Sequence, residues 1–133
     1  MTRYLGSIHR WLGLAAITVF LGTGIYMRAS HLENLPLDSG LRALFRSRHV
    51  YLLFAGLLNV AVGLGYKIPA TGRGHRIAPL GSLLVMTSPI LAAVAFVREP
   101  VGTGTSGPLS ALAVFAAVLG MLSYALGAWR TGE

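Results

Sequence analysis

Four long stretches of the chain contain no charged residue and dominate its hydrophobic pattern. They cover Trp11–Met27, Val50–Tyr66, Ile77–Val97 and Leu109–Trp129, and each is 17 to 21 residues long. About 20 apolar residues at a rise of about 1.5 Å per residue cross the ~30 Å hydrocarbon layer of a bilayer. All 11 basic and 4 acidic residues fall outside these stretches. The pattern predicts four transmembrane helices in one integral membrane domain, residues 1–133.

The connections between the stretches indicate how the helices are arranged. Glycine and proline mark two short connections, Gly65–Gly74 and Gly102–Pro108, and Glu99-Pro100 is expected to end the third helix. Short connections make consecutive helices antiparallel neighbours. The sequence therefore predicts an all-α, up-down bundle of four transmembrane helices.

The first connection, Ala29–Ser47, is longer and has a pattern of its own. Leucine and phenylalanine alternate at helical spacing with charged residues; the apolar set is Leu37, Leu41, Leu44 and Phe45, and the charged set is Asp38, Arg42 and Arg46. Such spacing is typical of an amphipathic helix in the headgroup layer. We expect a short interfacial helix between helices 1 and 2, running into the second span; a solvated loop is the alternative.

Composition narrows the class of protein further. The chain is 54% hydrophobic and 11% charged, with a mean hydropathy of +0.66, whereas soluble domains carry about 25% charged residues. It has no cysteine, which excludes disulfides, thiol catalysis and cysteine-ligated metal sites. No phosphate-binding loop, serine–histidine–acid set or carboxylate pair at membrane depth occurs. The sequence favours a protein that is not an enzyme.

The net charge of +7 comes from basic residues that lie at the ends of the spans. Basic residues there attract anionic lipids, and their scatter over short segments argues against nucleic-acid binding. Six basic residues lie on the side of the termini and five on the other. By the positive-inside rule this small excess favours a bacterial inner-membrane protein with both termini in the cytoplasm.

Small and polar residues inside the spans form two stripes at spacings of three and four. One comprises Gly56, Asn59 and Gly63; the other comprises Ala116, Gly120, Ser123 and Gly127. Small residues let membrane helices approach closely, and an amide can form a hydrogen bond across the contact. We interpret the stripes, with Asn59 as a polar helix contact, as packing surfaces between helices; a surface lining a solute path is the alternative.

Four histidines lie near the ends of the spans: His9, His31, His49 and His75. Imidazole is the usual axial ligand of b-type haem, and bundles build such sites from facing helices. Antiparallel helices place His9 with His75 on one side of the membrane and His31 with His49 on the other. Each histidine except His31 also adjoins an arginine, as interfacial residues often do. We favour interfacial anchoring and retain haem ligation as the alternative.

The start of the first helix resembles a known family. Residues 8–14 read IHRWLGL, and Thr23-Gly24 follows them; together they are similar to the opening membrane helix of the PepSY-associated transmembrane family. The resemblance covers about one-sixth of the chain. It implies a bacterial inner-membrane protein linked to iron or flavin reduction, with His9 as a haem ligand and Trp11 as an interface aromatic.

Three functions fit these observations. The favoured one is a non-catalytic accessory or structural subunit of a membrane assembly, which binds other subunits or a second copy of itself. The first alternative is a membrane electron-transfer protein with haem b. The second is a carrier or channel for a small neutral solute, in which Asn59 contacts the solute, because the spans contain no charged group for an ion-coupled relay.

Overall fold

The computed structural model describes residues 2–29, 39–68, 74–102 and 107–129, and this part of the chain is almost entirely helical. Its four helices are α1 (Thr2–Ala29), α2 (Ser39–Leu64), α3 (Gly74–Gly102) and α4 (Pro108–Trp129). Each contains a segment long and apolar enough to cross a membrane: Tyr4–Ala29, Arg42–Leu64, Gly74–Glu99 and Pro108–Ala128. The predicted all-α bundle of four potential transmembrane helices is confirmed.

The helices extend beyond the charge-free stretches, and this shifts the predicted end of the third one. α3 begins at Gly74, so Pro79 lies in its second turn. The same helix continues through Pro100 to Gly102, so the predicted end at Glu99-Pro100 is wrong by two residues. Near a helix end a proline removes only one backbone hydrogen bond. Glu99 is consequently part of α3 itself.

The amphipathic segment before the second span is helical, but it is continuous with α2. That helix begins at Ser39, and the residues before it, 30–38, lie outside the described part of the chain. Phe45 packs edge-on against Phe96 of α3, with ring centroids 5.8 Å apart. One apolar side chain of the segment therefore contacts the bundle and not only lipid, because α2 extends beyond the charge-free stretch without a break.

Glycines determine which helices come into backbone contact. On α2, Gly56 faces Gly13 of α1, and Gly63 faces Gly6; a Cβ on Gly63 would lie 2.8 Å from the Gly6 carbonyl oxygen. On α4, Gly120 meets α3 in the same way. The packing interpretation of both stripes is confirmed at these glycines, since their missing side chains allow close helix contact.

The bundle has two apolar clusters, and α1 lies at its edge. One cluster contains Leu52 and Phe96, and the other contains Val62 and Val85. α1 packs mainly on α2 and makes far fewer contacts with α3. An apolar groove of about 250 Å³ lies between α1 and α3, with Leu52 of α2 among its lining residues.

Candidate functional site

A proline inside α3 creates the first polar contact at membrane depth. Pro89 has no N–H, so the carbonyl of Val85, four residues earlier, has no intrahelical donor. Two side chains donate to it instead: the Ser88 hydroxyl at 2.8 Å and the Asn59 amide at 2.8 Å. Asn59 also donates to the Ala55 carbonyl at 2.9 Å. Both N–H groups of the Asn59 amide are therefore used within the chain.

His9 completes this network from α1, and the hydrogen bonds define its tautomer. The Asn59 carbonyl oxygen can only accept, so it takes the proton of His9 Nδ1–H at 2.9 Å. In a neutral ring Nε2 is then an acceptor, and the Ser82 hydroxyl lies 2.7 Å from it. His9 and Asn59 are both fully buried. The histidine predicted at the interface thus links α1 to α2 and α3 inside the bundle.

Tyrosines connect this network to the loop after α2. The hydroxyl of Tyr66 lies 3.4 Å from the Ser82 hydroxyl, and its ring lies 5.5 Å from the His9 ring. Tyr66 also stacks on Tyr124 of α4, with ring centroids 5.8 Å apart. The Tyr124 hydroxyl donates to the Gly65 carbonyl at 3.2 Å and accepts from the Lys67 backbone N–H at 2.9 Å. We call His9, Asn59, Ser82, Tyr66 and Tyr124 the histidine cluster. Each of the four helices contributes one of these residues, and Tyr66 lies in the loop after α2.

A second polar cluster lies at the opposite end of the bundle. Arg48 of α2 and Glu99 of α3 are each 2% exposed, and Arg48 Nε donates to a Glu99 oxygen at 2.8 Å. Glu99 also caps α4 by accepting the backbone N–H of Leu109 at 2.6 Å and of Ser110 at 3.0 Å. The Ser110 hydroxyl donates to the same carboxylate. We call Arg48, Glu99 and Ser110 the arginine cluster.

The other predicted histidines have different surroundings. His49 is half-buried, and its ring stacks on Phe20 with centroids 4.0 Å apart. His75 is exposed at the start of α3, and His31 lies outside the described residues. Within the described residues, no three histidine or acidic side chains are grouped closely enough to hold a metal ion.

The hydrogen bonds of His9 bear on the haem hypothesis. Both its ring nitrogens already have partners, so an iron ligated by His9 would have to replace one of them. His49 differs, because the hydroxyl proton of Thr23 goes to the Phe20 carbonyl at 2.9 Å. Thr23 must then accept from His49 Nδ1–H at 2.9 Å. In the neutral ring this leaves the lone pair on Nε2, the arrangement found in iron-ligating histidines.

No known protein family, curated protein or solved structure matches the chain. The resemblance of the first helix to the PepSY-associated family therefore stays a prediction. The features of the molecule that bear on function are the two polar clusters, the histidines and the open surfaces of the bundle.

The sequence identified part of these clusters and missed the rest. It singled out His9 and Asn59 but did not pair them, and it assigned Arg48 to the charged ends of the spans. Ser82 and Tyr66 were not candidates for this site. One signal was available for the arginine cluster: Arg48 precedes the second charge-free stretch and Glu99 follows the third, so antiparallel helices place both on one side of the membrane.

The Asn59→Leu variant tests the histidine cluster. It leaves the His9 N–H buried without an acceptor, and we expect a loss of about 1–3 kcal/mol of unfolding free energy. Equilibrium unfolding by SDS in mixed micelles measures it. Thr18→Val is the control, since Thr18 is exposed and donates only to Leu14 of its own helix; it should change stability by less than about 0.5 kcal/mol. Equal effects of the two variants would contradict the assignment.

Proposed function

We propose that the chain is a non-catalytic accessory subunit of a membrane assembly, in a bacterial inner membrane with both termini in the cytoplasm. The observation that carries the proposal is the apolar groove between α1 and α3. Among its lining residues are Ala15, Ile90 and Val94, and Ile90 is 56% exposed. Small residues beside large ones give the knob-and-hole surface by which membrane helices associate.

The interior polar groups support the same proposal by elimination. The donors of the Asn59 amide and both nitrogens of His9 form hydrogen bonds within the chain. A carrier or channel in which Asn59 contacts a neutral solute would need to exchange these bonds during each passage. An interior whose polar groups bond to one another and an open apolar groove suit a subunit that packs against another membrane helix.

Site-specific photo-cross-linking in native membranes tests the accessory function. A photoreactive amino acid at Ile90 should form a covalent adduct with another membrane polypeptide, because the groove is its contact surface. The same amino acid at Leu126 of α4, which is 65% exposed and does not line the groove, is the control. Absence of an adduct at Ile90, or equal yields at both positions, would contradict the proposal.

A second candidate function, haem binding, is supported by the tautomer of His49. Haem b would supply one-electron redox chemistry. Thr23 orients the His49 ring through Nδ1, and the ring packs against Gly24, where a Cβ would lie 3.2 Å from His49 Cε1. His49 could thus hold the iron through Nε2, whereas His9 would first have to give up a hydrogen bond.

The visible absorption spectrum tests this second candidate. Protein purified from cells supplied with haem should show a Soret band, and the band should disappear in the His49→Ala variant, which lacks the axial imidazole. The exposed His75 provides the control, since His75→Ala should retain the band. A colourless wild-type preparation would exclude haem binding under these conditions.

A further inference from the structure

An open cavity of about 310 Å³ lies between α2 and α4, beside the arginine cluster. Its lining includes the polar residues Arg48 and Ser110 as well as Tyr51, Ala111 and Phe115. The volume is at the lower end of the range for ligand-binding pockets, roughly 300–1,000 Å³. The cavity therefore has both polar and apolar walls, and it is distinct from the groove between α1 and α3.

Arg48 brings unused hydrogen-bond donors to this cavity. Its Nε atom is bonded to Glu99 and Ser110, but Nη1 and Nη2 are buried and have no hydrogen-bond partner among the described residues. Arg48 lines the cavity, and its Nη2 lies close to a second lining residue, Gly107, where a Cβ would be 3.0 Å from it. A buried charged donor without an acceptor is costly, which implies an acceptor other than the described residues.

The chemistry of that acceptor follows from the geometry of the guanidinium. Glu99 occupies the Nε side and is itself saturated by the Leu109 and Ser110 backbone N–H groups and the Ser110 hydroxyl. The opposite side presents two nitrogens in one plane, which matches two oxygens of a phosphate. Arg42 and Arg46 precede Arg48 on α2, and their positive charge favours an anion at this end of the bundle.

The position of the cavity indicates that the phosphate belongs to a lipid. The second span begins at Arg42. Arg48 lies six residues further along α2, which is about 9 Å along the helix axis. This depth is near the boundary between headgroups and hydrocarbon. We propose that the cavity binds one anionic phospholipid, whose phosphate accepts from Arg48 Nη1 and Nη2 and whose acyl chain lies along Ala111 and Phe115.

Native mass spectrometry tests the lipid site without disturbing the arginine cluster. The purified full chain is mixed with equal amounts of dioleoyl phosphatidylglycerol and dioleoyl phosphatidylcholine. Both lipids offer the same phosphate, but the quaternary ammonium of phosphatidylcholine neutralises its headgroup and is repelled by Arg48. We therefore expect one bound phosphatidylglycerol per chain, preferred about tenfold. Ala111→Leu fills the cavity and should abolish the preference. Ala125→Leu, an equal change at an exposed position of the same helix, should keep it.

Three outcomes would overturn the proposal. The first is equal retention of the two lipids by the wild-type chain, and the second is an unchanged preference in the Ala111→Leu variant. The third comes from a competition with millimolar inorganic phosphate, which should leave the bound phosphatidylglycerol in place. Displacement of the lipid by phosphate alone would mean that the site takes a soluble anion.

Discussion

The Arg48→Ala variant is expected to lose about 3–5 kcal/mol of unfolding free energy, the largest effect of any single substitution considered. It removes a positive charge that faces the buried Glu99 carboxylate, together with the Nε donor at 2.8 Å. Equilibrium unfolding by SDS in mixed micelles measures the loss. The helix cap formed by Glu99 on α4 remains, so most of the change comes from the lost attraction between the two buried charges.

Two further variants separate this explanation from a general effect of losing a positive charge. Arg98 is exposed and immediately precedes Glu99, so Arg98→Ala should change stability by less than about 0.5 kcal/mol. The double variant Arg48→Met, Glu99→Gln removes both charges but keeps an amide oxygen that can cap α4. It should be more stable than Arg48→Ala, because no charge of the pair is left buried. A double variant less stable than Arg48→Ala would contradict the account.

The Gly81→Ala variant is expected to lose about 3 kcal/mol, the upper part of the usual range for overpacking. The added Cβ would lie 2.6 Å from the Gly120 carbonyl oxygen and 2.9 Å from Tyr124 Cα. Both are backbone atoms of α4 and cannot move aside as a side chain can, so α3 and α4 must separate. SDS unfolding measures the loss.

Gly22→Ala is the matched control and should change stability in the opposite direction. Within the described part of the chain, a Cβ on Gly22 meets nothing within 4 Å. Alanine in a helix interior is more stable than glycine by about 0.5–1 kcal/mol. Equal stability of the Gly81→Ala and Gly22→Ala variants would contradict the claim that close backbone contact at Gly81 stabilises the packing of α3 on α4.

The features that the sequence predicted are those set locally or by the membrane itself. A bilayer requires helices of a certain length without charge, so the four spans are evident from the charge-free stretches. Pro89 and Ser88 are sequence neighbours, so the hydroxyl that donates to the carbonyl freed by proline is also a local feature. Gly56 and Gly63 are seven residues apart and share one helix face for the same geometric reason.

The two polar clusters could not be predicted in the same way. His9 is 50 residues from Asn59 and 73 from Ser82, so their contact depends on how each helix is rotated about its axis. Hydrophobicity gives the depth of a residue but does not give this rotation when a helix is apolar on all sides. Arg48 and Glu99 are 51 residues apart, and charge patterning alone could not distinguish a buried pair from two headgroup contacts.

Cysteine labelling tests most directly the central claim that lipid surrounds this bundle and that its ends face opposite sides of the membrane. The chain has no native cysteine, so the Lys67→Cys, Arg28→Cys and Leu119→Cys variants each carry a single thiol. In sealed membrane vesicles, an impermeant maleimide should label either Lys67→Cys or Arg28→Cys but not both. The other of these two variants should be labelled only after the vesicles are permeabilised. Leu119→Cys should remain unlabelled before and after permeabilisation. Labelling of Leu119→Cys, or of both other variants in sealed vesicles, would contradict the account.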